Sequence, residues 1–101
     1  MAEVRDLKED VQYSDSSVVS KTIIDKKTGT ITLFGFDKGQ TLSEHTAPFD
    51  AVANIIEGRA EIDVGGEKQE LKKGEYIVMP ADVPHSVRAP ERFKMLLIMI
   101  K

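Results

Sequence analysis

Two histidines, His45 and His85, are the only imidazoles in the chain, and each sits in its own compact segment. The first segment is SEHTAPFDAVANIIEG (43–58) and the second is GEYIVMPADVPHSVRA (74–89). Imidazole is the usual neutral nitrogen ligand for metals and the usual proton shuttle near neutral pH. A pair so placed is expected to converge on one site. No serine or threonine stands beside a base in a nucleophile pattern, and no glycine loop suits a phosphate. The chain has no cysteine, which excludes disulfide scaffolds, thiolate metal sites and cysteine nucleophiles.

The elements that must position these residues are short strands. SVVSKTIID (17–25) and TITLFGF (30–36) are rich in β-branched and aromatic residues, and the intervening Lys-Lys-Thr-Gly reads as a hairpin turn. Gly29 is expected to supply the positive φ of that turn. A second turn follows at 37–39. AVANIIE (51–57) reads as a strand ended by Gly58, with RAEIDV (59–64) pairing back through it. Further strands are expected at EKQEL (67–71), EYIVM (75–79), SVRA (86–89) and FKMLLIMI (93–100), separated by turns at 65–66, 72–74 and 90–92. PADVP (80–84), with two prolines, cannot be a central strand. Eight or nine short strands without a 3.6-residue period predict an all-β sandwich or barrel. Residues 1–16 read as an arm: Val4, Leu7 and Val11 at spacings of three and four suggest a marginal helical turn that docks elsewhere. Residues 17–101 then form a single domain.

At 101 residues the chain is near the small end of what buries an independent core. Apolar residues make up 41% and charged residues 31%, a globular balance. A net charge of −3, with lysines spread among acids, predicts no nucleic-acid partner. The longest apolar run, MLLIMI, is too short to span a bilayer, and MAEVRDLKED lacks the core of a signal peptide. The expectation is a cytoplasmic protein with no membrane partner.

The two histidine segments resemble the paired motifs of the cupin superfamily, whose members are double-stranded β-helix (jelly-roll) barrels. The first motif runs Gly-x5-His-x-His-x3-4-Glu-x6-Gly, and Gly39, His45, Ala47, Ala51 and Gly58 fall at those spacings. The second runs Gly-x5-Pro-x-Gly-x2-His-x3-Asn, and Gly74, Pro80, Asp82, His85 and Ala89 occupy it. The match covers residues 39–89, about half the chain. The resemblance implies a cupin barrel with a lumen site. It also implies a metal held by three histidines and a glutamate, of which only His45 and His85 are present. Ala47 and Ala51 stand at the other two positions. A divalent metal (zinc, iron, nickel or manganese) is therefore expected to be weakly held at His45 and His85. Asp50, one residue off the glutamate register, is a candidate third ligand.

Alternation places Ala51, Ala53, Ile55 and Glu57 on one face, which by resemblance lines the lumen. The alanines at 47, 51 and 53 would leave volume for a small, partly apolar organic ligand. The expected pocket comprises His45, Ala47, Asp50, Ala51, Ala53 and His85. Two readings follow. One is a small-molecule-binding cupin, either a binding module or a catalyst with a histidine acid or base. The other is a metal-dependent cupin enzyme, an oxygenase or isomerase, with a reduced two-histidine site. Met79, Met95 and Met99 read as core filler. FKMLLIMI is apolar on both alternating faces, and one small barrel covers only the inner one. The second cover is expected from another subunit, in a homodimer.

Overall fold

The computed structural model describes residues 2–101, and its regular structure is entirely β. The strands are β1 (Val18–Lys26), β2 (Gly29–Phe36), β3 (Thr41–His45), β4 (Asp50–Val64), β5 (Glu67–Lys72), β6 (Tyr76–Met79), β7 (His85–Arg88) and β8 (Phe93–Ile100). All pairings are antiparallel. One sheet runs β1-β2-β8-β4-β6 and the other β5-β4-β7-β3. They share β4 and close over one core, the double-stranded β-helix the sequence predicts. Among the described residues, no helix is long and apolar enough to cross a membrane.

The shared strand corrects one expectation. Residues 51–57 and 59–64 are not two strands folded back on each other at Gly58. They are one 15-residue strand. Its first half pairs with β6 and β8 and its second with β5 and β7. An irregularity between Ile55 and Glu57 shifts the register against β8. The buried positions accordingly change phase, from Ala51, Ala53 and Ile55 to Ala60 and Ile62. Glu57 therefore leaves the inward face that strict alternation assigns it. Gly58 has φ of 75°, and a Cβ there would stand 2.1 Å from the Arg92 carbonyl oxygen. The strand can bend past the start of β8 only because that side chain is absent.

Gly29 also acts differently from expectation. It is not among the positive-φ residues. A Cβ on it would lie 2.7 Å from the Met99 carbonyl oxygen, so glycine is needed for the close approach of β8. The β1–β2 hairpin closes from Lys26 to Gly29 with two residues between.

Phe36 and Phe93 stack at 4.5 Å between ring centroids, nearly parallel. With Ile55, Ile62, Met79 and Met95 they fill the space between the sheets. On the outside, Arg88 forms a two-point pair with Glu61, its register partner on β4, at 2.9 and 3.3 Å. Arg88 holds the Glu61 carboxyl below the usual carboxylate range.

The N-terminal arm docks on its own barrel. It contains a single turn closed by Asp10 N–H donating to the Asp6 carbonyl, not an amphipathic helix. Of Val4, Leu7 and Val11, only Val11 is buried. The arm crosses the outer face of the five-stranded sheet. Lys94, only 6% exposed, donates to the Lys8 carbonyl, and Lys21 pairs with Asp10 at 2.6 Å. Tyr13 donates to Glu57 and lies beneath both Lys94 and Arg92. Burial, and then the Glu57 carboxylate, push the Tyr13 phenol well above its ordinary value. At the end of the arm, Arg92 links Asp37 and Asp15, and Asp37 accepts from Ser16 N–H.

Gly58→Ala is expected to destabilise the protein by about 3 kcal/mol or more, because backbone must move as well as adopt strain. Gly66→Ala, with φ of 90° but nothing within 4 Å, should cost only about 1 kcal/mol. Thermal denaturation of the two variants compares them. A pH dependence follows from Asp10 and Asp37, whose carboxyls are lowered chiefly by Lys21 and Arg92 respectively. Lowered folded-state values make their stabilisation complete at neutral pH. It is lost as pH falls through the ordinary aspartate range to the depressed values. Hydrogen exchange should show the arm amides losing protection under acid before those of β4 and β8.

Candidate functional site

The strand pair β3–β7 brings the histidines together. Thr41 pairs with Arg88, Leu42 with Val87 and His45 with His85. Three residues advance on β3 while two advance on β7, so β3 carries one extra residue at Ser43–Glu44. Strict alternation would put His45 on the face opposite Leu42. The bulge restores it to the face shared by Leu42, Val87 and His85. Forty residues of sequence separation thus become register partners.

The imidazoles meet edge to face at 4.3 Å between centroids, with 67° between ring planes. His85 is 8% exposed, whereas His45 is exposed. Each ring is tied to the carbonyl two residues before it: His45 Nδ1 to Ser43 at 2.7 Å and His85 Nδ1 to Val83 at 3.2 Å. A carbonyl only accepts, so the hydrogen is assigned to Nδ1 in both rings, which leaves each Nε2 with a free lone pair. The paired rings therefore present two acceptors, suited to hydroxyl or N–H donors of a ligand or to a cation.

The loop before His85 is held from three sides. Ala81 N–H donates to Asp50 Oδ1 at 2.8 Å, Asp82 N–H to the Ala47 carbonyl at 2.8 Å, and Gly65 N–H to the Pro84 carbonyl at 2.8 Å. Asp82 stands where the resembled motif has glycine and adopts φ of 65°. Aspartate tolerates that left-handed conformation better than most side chains. The backbone shape of the motif survives its sequence change.

Not every expected pocket residue joins the histidines. Asp50 shares a β4 face with Val52, away from the buried Ala51 and Ala53, and its carboxylate accepts from the loop. It is a cap for the His85 loop, not a third ligand. Ala53 is fully buried among core side chains and does not wall an opening. Ala51 is nearly as buried and is paired in register with Met79, whose flexible side chain occupies the core beside it. Ala47 is half-buried and contributes its carbonyl to the loop. Alternation from His85 could have identified Val87 as a neighbour of the site, whereas Leu42 shares that face only through the bulge. The Ser43 and Val83 carbonyls that set the tautomers had no sequence signal, since their role depends on ring orientation.

The donor set does not fit the four-ligand metal site of the resembled motif. Ala47 and Ala51 carry no donor, and Asp50 is engaged elsewhere. Among the described residues, no group of three or more histidines, aspartates or glutamates converges.

Comparison with known proteins bears on the same span. The model of the cupin domain family matches residues 32–101. A conserved protein of unknown function from Streptococcus pyogenes is 39% identical, with a TM-score of 0.95 over all of this chain and 89% of that one. A cupin 2 conserved barrel domain protein from Leptotrichia buccalis is 40% identical, with a TM-score of 0.90. That match covers 93% of this chain but only 46% of the longer protein. An uncharacterised protein of Aquifex aeolicus is 28% identical over 97 residues, covering 94% of this chain and 80% of its own. The registered glycines, the converging histidines and the matched span have one meaning: the chain belongs to the cupin family.

Proposed function

We propose that this protein binds a small organic molecule at the mouth of its barrel, through His45 and His85. The observation that carries the reading is the contact of the two rings, each with its Nδ1 held against a backbone carbonyl. With each Nδ1 turned to a carbonyl, Nε2 of each neutral ring is the acceptor, which suits a ligand offering hydroxyl or N–H donors. Leu42, half-buried on the same face, supplies apolar surface beside them. A donor-rich yet partly apolar molecule matches such a site. Either ring could also accept a proton from a bound substrate, so acid–base catalysis is compatible with the same geometry. The setting we propose is the cytoplasm, in keeping with a balanced, mildly acidic composition.

The metal-dependent reading, an oxygenase or isomerase, is the weaker one. Two imidazoles supply half the protein ligands of a stable site, and Asp50 adds none.

Native mass spectrometry of the purified protein, followed by titration of the released compound, tests the first reading. His45→Ala and His85→Ala should each weaken binding by about tenfold or more, through loss of one hydrogen bond to a ring nitrogen. Unchanged affinity in both variants would move the binding site elsewhere. In calorimetric titration, zinc or nickel should bind the wild type weakly, and Ala47→His combined with Ala51→Glu should bind it much more tightly. Because Ala51 is packed against the core, that double variant should also lose about 1–3 kcal/mol of stability from overpacking. A full equivalent of metal retained by the wild type after dialysis against chelator would overturn the assignment.

A further inference from the structure

In the four-stranded sheet, the row that holds the two histidines runs on across β4 to β5. Register pairs His45 with His85, His85 with Val64, and Val64 with Glu67. Residues directly opposite in antiparallel strands share a face, so two imidazoles, the Val64 methyls and the Glu67 carboxylate stand in line. Leu71 fixes which face of β5 this is. It is buried in the core opposite Ala60, and alternation puts Gln69 and Glu67 on its side of the strand. An edge strand thus presents two polar side chains on the face where its neighbour β4 carries only Ala60, Ile62 and Val64. The opposite face of β5 is different. There Lys68 pairs with Glu61 at 3.8 Å and Glu70 with Arg59 at 3.1 Å. Neither Glu67 nor Gln69 has a side-chain partner among the described residues, and both are exposed. Gln69 also borders a cleft of about 340 Å³ where β5 and β6 part, with Leu71 and Ile77 in its lining. That volume suits a small organic molecule.

We infer that the ligand of the histidine site is a small organic cation, its ammonium or amidinium group held by Glu67 and a hydroxyl or N–H at its other end donating to the imidazoles. This assignment rests on the small-molecule reading of the site given above. The row offers acceptors at both ends, two neutral ring nitrogens and one carboxylate, and no positive side chain stands in it. A carboxylate or phosphate ligand would find no donor among these side chains and would be repelled by Glu67. A ligand with donors at both ends and a positive charge at one satisfies every group. Neighbouring strands lie about 4.8 Å apart, so Glu67 stands roughly 10 Å from His85, the reach of a six-carbon amino alcohol with its two hydrogen bonds. Val64, half-buried between them, supplies apolar surface for the carbon chain. Gln69, the next residue along the same face of β5, offers its carboxamide oxygen to a further N–H of the cation.

Aminohexanol, hexanediol and hydroxyhexanoate share one chain length and differ in the charge at one end, which makes them the probes. In NMR titration of the full chain, aminohexanol should shift both imidazole resonances and bind about tenfold more tightly than hexanediol, with hydroxyhexanoate weakest. Its advantage should shrink as salt is added, because Glu67 is exposed. Glu67→Gln should bring aminohexanol down to the affinity of hexanediol. Glu91→Gln, which removes the same charge from an exposed position paired with Arg59, should leave the advantage intact. His45→Ala should weaken all three probes alike, which separates the histidine site from the cation subsite. Equal affinity of the three probes, with both imidazoles shifted, overturns the cation assignment and leaves the histidine site standing. So does an advantage that survives Glu67→Gln, or the absence of aminohexanol binding at millimolar concentration. Binding that moves neither imidazole overturns the histidine site as well.

Discussion

The close passage of Gly58 by the Arg92 carbonyl is the contact on which both sheets depend. β4 supplies hydrogen-bond partners to four other strands, and it can serve two sheets only by bending where β8 begins. A side chain at that point would collide with backbone, which has no rotamer with which to yield. Through the bend, the inward face of β4 changes phase between Ile55 and Ala60, so apolar side chains continue to meet the core in both halves. Ala53, Ile55, Ala60 and Ile62 are all fully buried as a result.

The histidine pair rests on a second irregularity of the same kind. β7 lies between the far half of β4 and β3, so the bend at Gly58 determines where His85 stands. The extra residue at Ser43–Glu44 then rotates His45 to meet it. Two local departures from ideal pairing thus build the site. The carbonyls of Ser43 and Val83 complete it by selecting one tautomer in each ring. Asp50 and Ala47 act on the site at one remove, by holding the loop from which His85 emerges. A carboxylate that a sequence pattern offers as a ligand serves here as a backbone cap, and the missing donors are not replaced.

The outside of the barrel shows how the chain divides its apolar surface. Lys94 is a charged residue in an otherwise apolar strand, and the arm satisfies it with the Lys8 carbonyl and the Tyr13 ring, beside the Glu57 carboxylate of β4. The arm thereby covers one end of the outer face, and Val11 and Leu33 become buried with it. Residues 96–100 continue the same strand beyond the reach of the arm. Their outward side chains, Leu96, Ile98 and Ile100, remain partly or largely exposed. The doubly apolar character of β8 therefore has two causes: core on one side, and a cover that stops short on the other.

Strand identity was legible in the sequence because β-branched runs and glycine or proline punctuation act over a few residues. Both motif segments were legible for the same reason, and with them the convergence of His45 and His85. Position within the barrel was less so. Gly58 reads as a turn because local pattern cannot distinguish a glycine that reverses the chain from one that lets another strand pass. Gly29 shows the same ambiguity, its requirement arising from Met99, seventy residues away. Glu57 was misplaced because it lies next to an irregularity, and one extra residue inverts a period of two; Asp50 obeys the alternation, which turns it away from the face of Ala51. Residue types and local spacing determined the all-β fold and which two side chains make the site. The bulge, the bend, the ring tautomers and the cover over each face were decided only in the tertiary structure, since all depend on backbone approaches between segments far apart in the chain.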